Sequence, residues 1–322
     1  MLLVDAGNLL HETLRLDEAL RQREIDRGEM FVDTFNMMGW DAQGLGEKDL
    51  VGGLPRLRAL AKRAKYPFLS ANLVDARSDA LLFTPRVIVQ KAGVRIGLFS
   101  VMSPRFRENE RILPEIGAKV TDPIVAAKEQ VEALKKEGAQ VFVALAMLDS
   151  GQADQLAKEV PQLTAVLGAQ EGMMLRSPRA VGSTYLTDAF QKGKYLSALS
   201  LLIRKGETDF VFEDPNRRLS IERRIAELDA RIKAREAAIA DAKGDQARAR
   251  NLQWLEQNLA QLQGERKAAQ VELDHAGEVK QGRSLIAYDY PEMSKELADD
   301  PKVLARVDKL KAKYPELKEP RH

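Results

Sequence analysis

Between Leu2 and Leu167, short apolar runs of strand length take turns with segments of helical period, and this alternation limits the fold more than any other feature. Leu2 to Ala6 is an apolar run closed by Gly7, the pattern of a buried strand. Residues 14–38 repeat apolar side chains at helical spacing through Leu16, Leu20, Met30, Phe31 and Phe35, with Gly39 as a stop. Leu54 to Ala64 predicts a basic amphipathic helix whose Arg and Lys residues form a solvated face. Val87 to Val101 alternates about Lys91-Ala92-Gly93 and predicts a β-hairpin. Asp122-Pro123 opens a helix running to Lys136, because Asp accepts from free N–H groups and Pro suits a first turn. A strand from Val141 to Leu145, a helix near 151–159 and a strand from Thr164 to Leu167 continue the series. Strands and helices alternating around an internal hairpin predict a layered α/β domain.

The pattern changes at 216. Ile221, Ile225, Leu228, Ile232 and Ile239 follow steps of four and three, skipping Arg235. After Lys243-Gly244-Asp245 the spacing resumes through Leu252, Leu255, Leu259, Leu262, Ala269 and Leu273, skipping Arg266. Heptad spacing of this kind predicts two coiled-coil arms, each with one apolar seam, joined as an antiparallel hairpin. Trp254 lies beside the seam, where the opposite arm could cover it. Two readings stand side by side: a projecting arm for dimerisation or partner docking, or a decoration whose seams bury only each other. A strand at 282–290 and a helix near 301–313 follow.

Composition narrows the function classes. The 322 residues carry a net charge of only +2 although 30% of them are charged, which argues against a nucleic-acid binder driven by a basic face. No apolar stretch reaches transmembrane length. The absence of cysteine removes disulfides, thiolate-bound zinc and thiol catalysis together.

Several landmarks occur in a telling order: LLVDAGN at 2–8, MGWDAQGLGEKDL at 38–50, FLSANLVDA at 68–76, the FTPRVIVQKAGVRIGLFSVMSP hairpin at 83–104, DPIVAAKEQVEALKKEGAQVFVALAMLD at 122–149 and VPQLTAVLGAQEG at 160–172. This succession, spread over roughly the first 200 residues, resembles the calcineurin-like metallophosphoesterase domain of the 5′-nucleotidase family. The resemblance implies a two-sheet α/β sandwich flanked by helices, here with an inserted antiparallel helical hairpin. It also implies a pair of divalent cations (Mn, Zn or Mg) about 3.5–4 Å apart, held on loops after successive strands.

The chain departs from the family at each ligand position that can be placed. The family's Gly-Asp reads Gly7-Asn8, and Asn lacks the charge to bridge two cations. Its Gly-Asn-His-Glu/Asp reads Gly46-Glu47-Lys48-Asp49, with a cation at the catalytic His. Its Ser-His-Leu-Gly reads Ala146-Met147-Leu148-Asp149, and a thioether is a poor ligand for a hard cation. Its Gly-Gly-His-Thr-His reads Gly168-Ala169-Gln170-Glu171-Gly172, without imidazole. The three histidines, His11, His275 and His322, fall on none of these positions. The expectation is therefore no catalytic residue, no metal ligand and no cofactor. A competing reading is an oxygen-rich site rebuilt from Glu47, Asp49, Asp149 and Glu171, of the kind Mg²⁺ or Ca²⁺ prefers. The plainer expectation for these four is solvated rim residues. Met37, Met38, Met147, Met173 and Met174 are read as core filler rather than a soft-metal site.

The resulting expectation is a metallophosphoesterase-like domain at 1–215, a hairpin insertion at 216–279, and a return strand with a C-terminal helix of the main domain at 280–322. Its function reads as a non-catalytic binding or assembly module acting through 216–279, with a protein partner or a second copy. The alternative is a metal-dependent phosphoester (nucleotide) hydrolase completed or rebuilt by other residues. No signal peptide precedes the first strand, yet the resembling family is mostly exported. A start site placed too far downstream would reconcile the two, and would imply a periplasmic or cell-envelope location.

Overall fold

The first apolar run supplies a short strand, β1 (Val4–Asp5), and Gly7 at φ 122° turns the chain out of it. The structure, a computed structural model, describes residues 1–16, 18–106, 109–168, 178–189, 193–204, 212–213, 217–243, 251–275, 284–294 and 296–315. Helix α1 (Arg21–Met38) follows a 3-10 turn at Glu18–Leu20, later than the periodicity from 14 predicts. The reason lies upstream. The Leu10 amide donates to Asp49 and the Glu12 amide to Glu24, which holds this stretch in a loop instead of a helical turn. Gly39 ends α1 in the left-handed conformation that favours glycine.

The chain continues through β2 (Ala42–Gly44), a 3-10 turn at Glu47–Leu50, α2 (Leu54–Arg63), β3 (Phe68–Leu69) and β4 (Leu73–Asp75). The predicted hairpin forms as β5 (Arg86–Lys91) and β6 (Val94–Met102), closed by Ala92 and Gly93, both at positive φ. Then come α3 (Asn109–Glu115), β7 (Ala118–Val120), α4 (Pro123–Lys136), β8 (Val141–Met147), α5 (Ser150–Glu159), β9 (Ala165–Gly168), β10 (Arg179–Val181) and β11 (Thr184–Asp188). Asp122 caps α4 by accepting from the amides of Ile124 and Val125.

These strands build a sandwich. One sheet is parallel, in the order β1-β2-β3; the other has six strands, in the order β10-β11-β9-β8-β6-β5; β4 and β7 form a separate antiparallel pair. The two larger sheets press closely at Gly44. A Cβ there would lie 2.7 Å from the Ala6 carbonyl and 2.8 Å from the Ser100 hydroxyl, so only glycine fits. Asn72 strengthens the frame by donating to the Met102 carbonyl and accepting from its amide. One core lies between the six-stranded sheet and α4 with α5, around Phe99, Val131, Leu134, Ala144 and Leu156. A second lies between the parallel sheet and α1 with α2, around Leu10, Val32, Leu57, Leu60 and Phe68.

By contact, the first compact unit comprises Met1–Ala198 with Tyr288–His322, and the second Leu199–Glu207 with Val211–Ala287. The second is built on β12 (Ala198–Leu202), β13 (Phe212–Glu213) and β14 (Ser284–Asp289), in the order β12-β14-β13, and on helices α6 (Arg217–Lys243) and α7 (Leu252–His275). Ile221, Ile225 and Leu228 pack with Leu262 and Ala269, while Ile239 and Ala242 pack with Leu255, so the helices run antiparallel. The connection expected at Gly244-Asp245 lies outside the described residues. Trp254 is not covered by the opposite helix as expected: it is 58% exposed, with the Arg235 guanidinium 4.8 Å from its ring centroid. Back in the first unit, α8 (Pro301–Lys313) is capped by Asp300 and docks on α1. There Asp26 meets Lys313 and the Tyr314 hydroxyl, and Arg306 lies 3.5 Å from Asp33.

Candidate functional site

The loops that follow β1, β2 and β8 converge, and one buried carboxylate organises them. Asp49 is 1% exposed and accepts from the backbone amides of Asn8 (2.8 Å), Leu10 (2.9 Å) and Gly46 (2.9 Å), with the Leu9 amide also directed at it. Burial pushes its carboxyl up from the usual range, and these amides act against that shift. The Gly7-Asn8 loop and the Gly46–Asp49 turn are thereby fastened together. Gly7 leaves no room for a side chain, since a Cβ would lie 2.7 Å from the Gly46 nitrogen.

Asn8 sits at φ 64°, a left-handed position that Asn tolerates better than most residues. Its side-chain oxygen accepts from the Lys48 amide at 2.9 Å, and its amide nitrogen donates to the Met147 sulfur at 3.4 Å. The structure thus brings together Asn8, Lys48, Met147 and Asp49 from stretches far apart in the chain. Glu47 is part of the same turn and is half-buried. Asp149 caps α5 instead: it accepts from the Gln152 amide at 2.8 Å, while the Gln152 side chain reaches back to the Asp149 amide. Gln170, Glu171 and Gly172 lie outside the described residues, as do Met173, Met174 and His322, and the side chain of His275. Among the described residues, no three His, Asp or Glu side chains are grouped to hold a metal ion.

Two polar features, the half-buried Asp5 and the buried His11, went unnoticed in the sequence. Asp5, on β1, accepts from the Gly7 amide at 2.8 Å, and burial pushes its carboxyl up to about 7 against that bond, with the charge of Asp49 adding to the rise. An acid within the apolar run LLVDA was the available signal. His11 is buried beside Glu24, 3.9 Å from Nδ1 to carboxylate, and burial holds its pKa below the ordinary value. Glu24 works against that fall, and Arg27 and Arg56 add to it. Nothing in the spacing of His11 and Glu24 foretold this contact.

No protein-family model matches the chain. Among curated proteins it is 28% identical over 154 residues to a 2′,3′-cyclic-nucleotide 2′-phosphodiesterase/3′-nucleotidase of Haemophilus influenzae, an alignment covering 45% of this chain and 23% of that protein. It is 25% identical over 228 residues to the protein UshA of Yersinia enterocolitica, covering 61% and 41% respectively. The chain thus spans well under half the length of these relatives. Two solved structures from Thermus thermophilus superpose on it: the sulfate thiohydrolase SoxB (TM-score 0.53, 23% identity, 64% of this chain and 36% of that one) and a 5′-nucleotidase precursor (TM-score 0.51, 24% identity, 62% and 41%). No helix among the described residues is long and apolar enough to cross a membrane. With its mixed sheets, its flanking helices and these relatives, the chain has the calcineurin-like metallophosphoesterase fold of the 5′-nucleotidases.

Proposed function

We propose that the chain is a 5′-nucleotidase-like metallophosphoesterase domain that has lost its dinuclear metal site and serves as a non-catalytic binding or assembly module. The observation that carries this reading is the Asn8–Met147 contact. Two divalent cations do not fit these donors. A bridging ligand must be anionic, whereas Asn8 is neutral and directs its N–H toward a thioether. Asp49 is anionic when ionised, but its oxygens already accept from backbone amides. Lys48, in the same turn, contributes only its backbone amide to these contacts, as a donor to Asn8.

In this reading the working surface is the helical arm at 216–279, a coiled-coil hairpin that meets a protein partner or a second copy, and the location is the cell envelope. The second reading is a metal-dependent phosphoester hydrolase rebuilt on Glu47, Asp49, Asp149 and Glu171. It draws support from the nucleotide phosphoesterases among the relatives. The cap made by Asp149 and the amide bonds to Asp49 weigh against it.

Calorimetric titration of the metal-stripped protein with Mn²⁺ decides between them. No heat of binding at millimolar metal is expected. Tight binding of two ions per chain would overturn the proposal and make phosphate-ester assays the next step.

A further inference from the structure

The basic residues of α2 divide into two sets. Arg56 and Arg63 face α1, where they pair with Glu29 at 3.0 Å and Asp33 at 2.7 Å. Arg58 and Lys62 lie on the other side, exposed, and among the described residues neither side chain makes an ion pair or hydrogen bond. Beneath them opens a cleft of about 370 Å³ between α2 and the segment leading into β5. Its apolar lining includes Phe68, Leu81, Leu82 and Phe83. Leu81 is 45% exposed, an apolar residue held at the lip of the cleft.

Two cations without partners beside an apolar lining are complementary to an anion with an apolar body. The shape of the cleft and the spacing of the cations narrow the class. The cleft is open along one side, so a small molecule would remain largely in water, whereas small-molecule sites enclose most of their ligand. Arg58 and Lys62 stand one helical turn apart, a rise of about 6 Å. Alternate side chains of an extended peptide recur at about 6.6 Å on one side of the chain. A peptide running along α2 would direct two carboxylates, two residues apart, at Arg58 and Lys62. The intervening side chain would point the opposite way, toward Leu81 and Phe83.

We propose that this cleft is a docking groove for an extended acidic peptide of a partner protein, with large apolar residues alternating with Asp or Glu. The groove lies within the first unit, and none of its lining residues belongs to the loops around Asp49.

The test is a backbone-amide NMR titration of the whole chain with Ac-Glu-Leu-Glu-Leu-Glu-NH₂. Saturable shifts are expected at Arg58, Lys62, Leu81, Leu82 and Phe83, with binding weakened at least fivefold in Arg58→Glu/Lys62→Glu and severalfold in Leu81→Ser. All three positions are exposed, so the melting temperature should hold in both variants. The lysine counterpart Ac-Lys-Leu-Lys-Leu-Lys-NH₂ should not bind the unaltered protein. Equal binding of that counterpart, absence of saturable binding, or shifts centred elsewhere would overturn the proposal. So would sodium octanoate matching the acidic peptide in affinity at these residues, which would assign the cleft to small amphiphilic anions. A concentration-dependent mass abolished by the double charge reversal would assign it to a second copy instead.

Discussion

The loops around Asp49 and the helical arm solve the same problem, that of holding polar groups at a junction, in opposite ways. Around Asp49 the bonds use the backbone: Asn8 and Leu10, some forty residues upstream, and Gly46, in the same turn, all donate their amides to one buried carboxylate. In the arm the polar contacts are between side chains and join one helix to the other, as in Arg266 with Asp229 and Arg224 with Glu272. The first arrangement couples the identity of one residue to the path of several loops. The second lets single surface residues change while the seam keeps the helices together. A carboxylate held in this way has a structural role whatever the chemistry of the loops it joins.

The largest effect should come from Asp49→Ala. It leaves the amides of Asn8, Leu10 and Gly46 without their acceptor in a dry interior. Each buried donor left unsatisfied costs about 1–3 kcal/mol, so the three together should cost about 3–5 kcal/mol. Chemical denaturation followed by the fluorescence of Trp40, in the first unit, should show the midpoint falling sharply. A loss below about 1 kcal/mol would mean that water replaces the carboxylate, and the contrast with the arm would collapse.

Leu262→Ala is next. Leu262 is 2% exposed in the seam between Ile221, Ile225 and Leu228. Truncating a buried leucine costs about 2–5 kcal/mol, with the lower end expected where neighbours can close in, as they can in a two-helix hairpin. Hydrogen exchange should accelerate across α6 and α7. Protection unchanged in α6 would show that the seam does not hold the hairpin.

These two sites also mark what was legible in the sequence. Much of the apolar packing between α6 and α7 could be read, because the spacing is a local signal: Ile221, Ile225, Leu228, Ile239, Leu255, Leu262 and Ala269 are buried, while Ile232, Leu252, Leu259 and Leu273 are only partly so. The hairpin at Ala92-Gly93 and the cap at Asp122 follow equally local rules, whereas Asp149, read as a solvated rim residue, caps α5. The role of Asp49 is different. It depends on amides some forty positions upstream, and no spacing rule joins Asp49 to Leu10. The late start of α1 fails for the same reason, since a helical pattern at 14–20 gives way to tertiary bonds at Leu10 and Glu12. The short strands β2, β3, β4 and β7 carry too few residues to show a period of their own.

Asp5→Asn sharpens the contrast through pH. The folded-state pKa of Asp5 is raised to about 7 from an ordinary 3.8, so between these values the folded chain holds a proton that the unfolded chain releases. Stability therefore falls as pH rises from about 4 to 7 and levels off above that. Asn keeps the acceptor for the Gly7 amide and removes the charge. With part of the side chain in solvent, the gain at pH 8 should be about 2 kcal/mol, vanishing near pH 4. Melting curves of both proteins at the two pH values check this. An equal shift at both would trace the effect to packing instead of ionisation. His11 gives the reverse dependence, because its lowered pKa withdraws stability as pH falls below about 6.5, and it is common to both proteins.

The smallest effect should be Arg266→Ala. Its guanidinium lies 3.0 Å from Asp229 across the hairpin, but the two side chains are 37% and 51% exposed. An exposed pair of this kind is worth about 0.2–1 kcal/mol and is screened by salt. A double-mutant cycle with Asp229→Ala at 50 mM and 500 mM NaCl isolates it. The coupling should be about 0.5 kcal/mol at low salt and smaller at high salt. A coupling above about 2 kcal/mol that ignores salt would mean that Arg266 sets the register of the two helices, as a polar residue within a seam can. The arm would then resemble the loops around Asp49, with its geometry resting on one charged residue.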